Sequence, residues 1–116
     1  MKASARPKSG PTRACDPFEE AMRLLGSRWA GAVIRALGAG SDGAGFVQIR
    51  DRIPGITDAT LTTRLRHLCV AGIATRTVDP GPPVRITYAL TDAGRAALPA
   101  LDAVERFALE HRTLFE

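Results

Sequence analysis

Residues 54–73 read PGITDATLTTRLRHLCVAGI, and this stretch combines a tight turn, a capped amphipathic helix and a glycine stop. Pro54-Gly55 is a strong turn pair. Thr57 is a favoured N-cap residue, and Asp58 follows it in the first turn, where the helix dipole favours negative charge. Leucines recur at i, i+4 and i+7, which commits one face to a core: Leu61, Leu65 and Leu68. The pattern predicts a helix over about 57–71.

The other face of this helix is polar, with small side chains near its N-terminus and arginines after them. Such a face suits a helix that enters a groove of DNA, because base contacts specify sequence and phosphate contacts position the protein. The residues on it are Asp58, Ala59, Thr62, Thr63 and Arg66, with Arg64 and His67 nearer its edge.

The length and composition predict one globular domain without a catalytic or metal centre. At 116 residues, with 45% hydrophobic and 24% charged residues, the protein can build one core. Cys15 and Cys69 are too few for a disulfide framework or a metal site, and neither histidine has paired carboxylates beside it. We therefore expect no enzyme activity, no cofactor and no metal.

Membrane and export signals are missing from the sequence. No apolar run approaches the roughly 18 residues that a membrane span needs. The basic N-terminus is not followed by the apolar segment of a secretory signal. We therefore expect no membrane partner and a cytoplasmic location.

Positive charge is concentrated in two places. Residues 1–13 carry four basic residues and no acid, and residues 50–76 carry five arginines against two aspartates. The first segment is rich in Pro, Gly and Ser and cannot bury a core, so we predict a flexible basic tail over 1–13 and a folded domain over 14–116. A basic region around the central helix is typical of a protein that binds a polyanion.

Three helices are predicted before the central one. Asp16-Pro17-Phe18-Glu19 starts the first, with a capping aspartate and an N1 proline, and Gly26 stops it. The second runs over about 27–37, and its inward residues are Trp29, Val33, Ile34 and Leu37. After a glycine-rich connection, a short helix over 47–53 is expected to point these side chains to the core: Val47, Ile49 and Ile53.

The short helix, the turn and the central helix make a helix-turn-helix. Two β-rich segments follow, 73–78 and 84–90, and they flank a Pro/Gly loop, which predicts a β-hairpin. A hairpin in this place is the wing of a winged helix-turn-helix, with its loop over about 79–85. Thr91-Asp92 then caps a last helix whose apolar stripe is too long for so small a domain to cover, so a second copy is the expected partner. The stripe is Leu98, Leu101, Val104, Phe107 and Ala108.

Short motifs succeed one another over residues 15–110. They are Cys15 with Pro17, Leu25-Gly26-Ser27-Arg28-Trp29, Phe46-Val47-Gln48-Ile49, Pro54-Gly55-Ile56-Thr57, Leu61-Thr62 with Arg64-Leu65-Arg66 and Leu68, Pro82-Pro83, Tyr88 with Leu90-Thr91, and Gly94-Arg95. In this order and spacing they resemble the bacterial HxlR-type (MarR-like) winged helix-turn-helix transcriptional regulators. The resemblance implies a mainly α fold with a small β-hairpin, in which the terminal helices form a dimer interface.

The sequence departs from that family pattern at several positions. Asp58-Ala59 stands where a polar-basic pair is usual, which removes a common source of DNA contact. Gln48 replaces a usual glutamate, and Phe107 replaces a usual tryptophan. The loop over 40–46 is about two residues longer than usual. Base readout by the central helix is therefore expected to be unusual.

The resemblance implies a sequence-specific regulator that binds a pseudo-palindromic operator in double-stranded DNA as a homodimer. The helix over about 57–71 would enter the major groove, and the wing would lie near the minor groove. Asp58 can accept a hydrogen bond from cytosine N4, and methyl groups can contact thymine. The expected base contacts are Thr57, Asp58, Ala59, Thr62 and Thr63, the expected phosphate contacts are Arg64 and Arg66, and the expected wing contact is Arg85.

Cys15 is expected to respond to oxidants or electrophiles, because several members of the family look like thiol sensors with a cysteine at this place. A helix N-terminus lowers the pKa of a thiol, whereas the neighbouring Asp16 works against that shift, and an unreactive structural cysteine is the alternative. Two other functions stay open. One is a regulator with a small-molecule pocket at the dimer interface, lined by Trp29 and Phe18, and the other is a winged helix used only for protein–protein contact.

Overall fold

The computed structural model describes residues 16–40 and 42–116. The predicted basic tail over 1–13 and Cys15 lie outside the described residues. The described part contains, in chain order, α1 (Pro17–Leu25), α2 (Ala30–Gly38), α3 (Phe46–Asp51), α4 (Asp58–Val70), β1 (Ala74–Asp79), β2 (Arg85–Leu90), α5 (Asp92–Glu110) and a short 3-10 helix (Arg112–Phe115).

Three helices begin where the sequence places a capping side chain. In each, a side-chain oxygen accepts a backbone N–H bond that would otherwise be unsatisfied. The pairs are Asp16 with Phe18 (2.9 Å), Thr57 with Thr60 (3.2 Å) and Thr91 with Gly94 (3.1 Å). These bonds confirm the predicted starts of α1, α4 and α5.

Helix α2 begins at Ala30, three residues later than the sequence predicts. Trp29 has a φ of 73°, in the left-handed region that non-glycine residues rarely adopt, so an α-helix cannot pass through it. The Ser27 hydroxyl donates to the Leu24 carbonyl at 3.2 Å. Residues 27–29 therefore form a turn that joins α1 to α2.

Helix α3 leaves Val47 54% exposed, so the prediction that Val47 faces the core is wrong. Residues two apart in an α-helix point about 200° apart, and Ile49 is the one of this pair that is buried. Ile53 is buried as predicted, just beyond the helix. Before the helix, Ala44 forms an antiparallel bridge with Tyr88.

Strands β1 and β2 pair antiparallel and confirm the predicted hairpin. Their register runs from Ala74 opposite Leu90 at the base to Asp79 opposite Arg85 beside the loop. The base of the hairpin is buried, and its outer half is exposed.

One aliphatic core joins α2, α3 and α4 to the base of the hairpin. All three leucines predicted to face inward from α4 are buried. The largest fully buried side chains are Val33, Ile34, Leu37, Ile49, Leu61, Leu65 and Leu68. Because the leucines fix the rotation of α4, its opposite face is held outward. The winged helix-turn-helix predicted from the sequence is confirmed.

Candidate DNA-binding surface

Trp29 supports the turn of the helix-turn-helix. Its side chain packs half-buried against the core, and a Cβ added at Gly55 would lie 3.9 Å from its ring atom Cη2. The guanidinium of Arg28 lies 5.3 Å from the ring centroid, within the range of a cation–π contact. Trp29 therefore packs inward, as the sequence predicts, and its ring faces the Arg28 guanidinium.

The outward face of α4 is set by helical spacing. Residues three or four apart share a face of a helix, so the residues opposite the buried leucines are Ala59, Thr63, Arg66 and Val70, with Thr62 beside them. Thr62 and Arg66 are exposed, Thr63 is half-buried, and Val70 is 84% exposed. Four of the predicted DNA-contacting residues therefore lie on or beside one solvent-facing surface.

Asp58 is held by Arg50, which is not among the predicted DNA-contacting residues. Nη1 of Arg50 lies 3.1 Å from Oδ1 and 3.4 Å from Oδ2 of the Asp58 carboxylate. This ion pair connects α3 to the first turn of α4. The Asp58 oxygens that were predicted to face a base are thus already hydrogen-bonded within the protein.

The Thr57 hydroxyl is also engaged within the helix terminus. Besides accepting the Thr60 N–H bond, it donates to the Thr60 hydroxyl oxygen at 2.9 Å. A hydroxyl has one proton to donate, and here that proton is used. Thr57 is exposed, but its hydrogen bonds fix the start of α4.

Arg64 lies on a flank of α4 rather than on its outward face. Thr60, Arg64 and His67 follow one another at helical spacing on the side that faces α1 and the turn before α2. Arg64 is half-buried, and its Nε atom is fully buried. The two arginines predicted to bind phosphate therefore occupy different environments, with only Arg66 fully outward.

Arg76 of the wing lies beside the outward face of α4. Together with Thr62, Arg66, Cys69, Val70 and Tyr88 it lines an open cleft of about 350 Å³. Arg76 was not among the predicted contacts, although strand alternation points to it, since it lies two residues after the buried Ala74 and so on the same face of β1. The cleft joins a basic residue of α4 to one of the wing.

Arg85 is the first residue of β2 and lies opposite Asp79 at the tip of the hairpin. It is exposed, as a wing contact must be.

Residues 24–114 of this protein match the HxlR-like helix-turn-helix family.

The protein belongs to the HxlR family.

Two relatives from Bacillus subtilis (strain 168) illustrate the match. The HTH-type transcriptional regulator YvaP is 36% identical over 96 residues, which cover 83% of this chain and 87% of that protein. The HTH-type transcriptional regulator YodB is 35% identical over 94 residues, which cover 81% of this chain and 82% of that protein. The present HxlR-family protein is accordingly a transcriptional regulator with a helix-turn-helix fold.

Solved structures agree with the HxlR assignment. The reduced form of YodB superposes with a TM-score of 0.71 at 34% identity and covers 83% of this chain and 92% of that chain. The reduced form of the redox regulator HypR superposes with a TM-score of 0.77 at 28% identity. This match covers 86% of this chain and 97% of the HypR chain. Both share the winged helix-turn-helix described above.

Cys69 is the cysteine that the structure describes in this HxlR-type protein. Burial raises the pKa of its thiol, and the positive charge of Arg76 partly offsets that effect. A raised pKa leaves less thiolate, the reactive form. This environment favours a structural role for Cys69 over a reactive one.

Two absences hold for the described part of the chain. Within residues 16–40 and 42–116, every helix is too short or too polar to span a membrane. The same residues contain no group of three or more His, Cys, Asp or Glu side chains placed to hold a metal ion.

Proposed function

We propose that this protein regulates transcription by binding a pseudo-palindromic operator as a homodimer, with α4 in the major groove and the hairpin loop near the minor groove. The observation that carries the proposal is the outward face of α4. Three buried leucines fix its orientation, and it presents Thr62 and Arg66 to solvent next to Arg76 of the wing. Side chains of this kind on a rigid helix suit readout in the major groove.

The contacts divide by chemistry. Ala59, Thr62 and Thr63 are short and suit base edges, including the methyl group of thymine. Arg66, Arg76 and Arg85 suit phosphates, which position the protein without reading sequence. Thr57 and Asp58 would have to exchange their present hydrogen bonds to reach a base, so we propose that their main role is to fix the start of α4.

Exposed apolar surface supports the homodimer. Helix α1 has no buried residue, and an open groove of about 420 Å³ between α2 and α5 is lined mainly by apolar side chains. Contiguous exposed apolar surface marks interaction sites, and a two-fold dimer is the commonest solution. The large apolar residues exposed on the terminal helices are Phe18, Met22, Val104, Phe107, Leu109, Leu114 and Phe115.

A gel shift with the DNA upstream of the protein's own gene tests the proposal most directly. A specific duplex should be retarded at concentrations that leave a scrambled duplex free, and binding should weaken steeply with salt because phosphate contacts release counterions. Equal retardation of both duplexes, or of neither, would contradict sequence-specific regulation and favour the protein-contact alternative.

Two substitutions then separate phosphate contacts from base contacts. Arg66→Ala should weaken binding to all sequences and lower the salt slope by about one. Thr62→Ala should instead change the preference at one operator position by about 1–3 kcal/mol. Arg106→Ala, which removes the same charge from α5, is the matched control and should leave the slope unchanged.

We also propose that oxidation of Cys15 controls this activity. The similarity to YodB, which was also solved in a diamide-treated form, and to the redox regulator HypR favours this response. In the proposed step, diamide accepts two electrons and two protons from two Cys15 thiols of a dimer, which become a disulfide while the diamide becomes a hydrazine. Loss of DNA binding on diamide treatment should disappear in Cys15→Ser and persist in Cys69→Ser.

A further inference from the structure

A small cavity lies on the flank of α4, between that helix and the turn that joins α1 to α2. Its volume is about 180 Å³. Its polar lining comes from Arg23 and Ser27 on one side and from Arg64 and His67 on the other, and three apolar residues complete it: Leu24, Ala30 and Leu68. The cavity is separate from the outward face of α4.

One of the two arginines that line the cavity has a buried donor without a partner. Nε of Arg64 is fully buried and has no hydrogen-bond partner among the described residues. Buried polar groups are nearly always hydrogen-bonded, and an exception calls for a water, an ion or a ligand that completes the site. Because guanidinium nitrogens only donate, the missing partner must be an acceptor.

The charge of the lining restricts that acceptor further. None of the residues that line the cavity is acidic, and the ion pairs among the described residues use Arg35 and Arg50, not Arg23 or Arg64. Two arginine side chains with an imidazole beside them form a typical donor set for an oxyanion, since arginine matches planar and tetrahedral oxyanions in a fork geometry. The Ser27 hydroxyl already donates to the Leu24 carbonyl and adds no donor to this set.

The cavity is small and open to solvent on one side. Pockets for drug-sized molecules measure about 300–1,000 Å³, and this one is well below that range. It suits a single phosphate, sulfate or carboxylate group with a small body.

We propose that this cavity is a binding site for a small oxyanion, such as inorganic phosphate or the carboxylate of a small metabolite, and that its occupancy weakens DNA binding. Arg64 and His67 belong to the recognition helix, so an anion there places negative charge within about a Debye length of the DNA backbone. Linkage makes the effect reciprocal, so DNA also lowers the affinity for the anion. The coupling rests on the proposed function, whereas the binding site does not.

Inorganic phosphate is the probe for the binding step. In NMR spectra recorded at constant ionic strength, replacement of chloride by phosphate should shift the His67 ring signals saturably and leave those of His111, which is remote from the cavity, unchanged. Arg64→Gln and Arg23→Gln should each weaken the phosphate affinity at least about tenfold. Arg66→Gln, two residues along the same helix but outward, is the matched control and should bind phosphate as the wild type does.

Two results would overturn the binding site: no saturable shift of His67, or an equal loss of phosphate affinity in Arg66→Gln. Arg23 is exposed on α1, so Arg23→Gln keeps the test informative if Arg64→Gln does not fold.

DNA titrations distinguish a free anion from a DNA phosphate as the occupant. For a free anion, phosphate should weaken operator binding by the wild type roughly fivefold more than chloride at equal ionic strength, and Arg64→Gln should abolish that difference without a change in salt slope. A salt slope lowered by about one in Arg64→Gln, together with no phosphate binding by the free protein, would show that a DNA phosphate fills the cavity and would overturn the proposal. If no DNA binds at all, the proposed function and the coupling fail, and the His67 titration still decides the site.

Discussion

Asp58 shows how one contact changes the interpretation of a residue. The Asp58 carboxylate is bound by Arg50 of the preceding helix, so a negative charge that would repel DNA is partly neutralised within the protein. Both side chains are substantially exposed, and such surface ion pairs contribute about 0–1 kcal/mol to stability. The pair therefore matters more for the electrostatics of the DNA-binding surface than for folding.

Asp58→Asn should raise the affinity for operator and scrambled DNA alike, because it removes a negative charge and frees Arg50 for a phosphate. The free energy of unfolding should change by less than about 1 kcal/mol. Fluorescence anisotropy with both duplexes and a urea titration measure these effects. Asp51→Asn is the control, since the Asp51 carboxylate lies 3.8 Å from Nε of Arg50 and makes a looser pair. A change confined to one operator base pair would show that Asp58 reads a base.

Cys69 should react slowly with iodoacetamide in the folded protein, because burial raises the pKa of its thiol and lowers the thiolate fraction at neutral pH. In the Cys15→Ser variant, mass spectrometry should show slower labelling than for a small free thiol at pH 8, and urea should remove the difference. The raised pKa means that the folded state favours the neutral thiol of Cys69. The stability that this thiol contributes is therefore complete below 9.0, the thiol pKa of the unfolded chain, and is lost as the pH rises through the folded-state pKa. Labelling as fast as the free thiol would contradict this environment.

Residue-level roles were the hardest to predict from the sequence. Local spacing identified the Thr57 cap and the three inward leucines, since both follow from the geometry of a single helix. The Arg50–Asp58 pair and the position of Arg76 depend on how separate elements pack, and no local pattern contains that information. The pocket that Arg64 shares with Ser27 likewise depends on the turn over 27–29, where the sequence predicts the start of a helix.

At the scale of elements, helix α5 is joined to the base of the hairpin by a compact set of contacts. The Thr91 hydroxyl donates to the carbonyl oxygens of Gly72 (2.6 Å) and Ile73 (3.1 Å). Gly94 packs so closely that an added Cβ would collide with the Ile73 carbonyl oxygen. This junction sets the direction in which α5 leaves the DNA-binding domain.

Gly94→Ala should therefore destabilise the protein by roughly 3 kcal/mol, the upper part of the range for overpacked sites, because backbone must shift to admit the methyl group. Gly72→Ala is the matched control, since Gly72 has a φ of 84° and open space around it. That substitution should cost only about 1 kcal/mol, the penalty of the left-handed conformation. Urea denaturation measures both, and equal losses would contradict the tight junction.

Element types were predicted well because caps, leucine spacing and β-rich segments are local signals. Helix boundaries and inward faces were predicted wrongly where the packing of the fold overrode a local sequence rule. Trp29 takes a left-handed conformation that closes the turn before α2. Helix α3 has only six residues and turns Ile49 to the core, so Val47, which was also expected to face inward, is exposed.

At the scale of the whole molecule, the exposed face of α1 and the outer part of the α5 stripe, Val104 and Phe107, are not covered within one copy. Leu98 and Leu101 of the stripe pack against the core. In the proposed dimer the two uncovered surfaces cover each other or their two-fold equivalents. The two recognition helices would then meet successive major grooves about 34–36 Å apart, so dimerisation determines operator spacing.

Val104→Asp should convert the dimer to a monomer, because Val104 is 64% exposed and lies in the groove between α2 and α5. Light scattering should show half the mass, with an unchanged far-UV circular dichroism spectrum. Operator affinity should fall roughly 100-fold or more, since two linked contacts gain that much from avidity. Val70→Asp, on α4, should stay dimeric although it weakens DNA binding. A dimeric Val104→Asp protein would remove this face from the interface.

Trp29 has a practical consequence of its own. It is the single tryptophan of the protein, and its ring lies against the glycine of the helix-turn-helix turn with an arginine guanidinium stacked nearby. Excitation at the red edge of protein absorbance therefore reports on this one location. When DNA docks against the turn, or draws Arg28 away from the ring, the emission of the unlabelled protein should change, which makes the wild-type regulator its own optical sensor of operator binding.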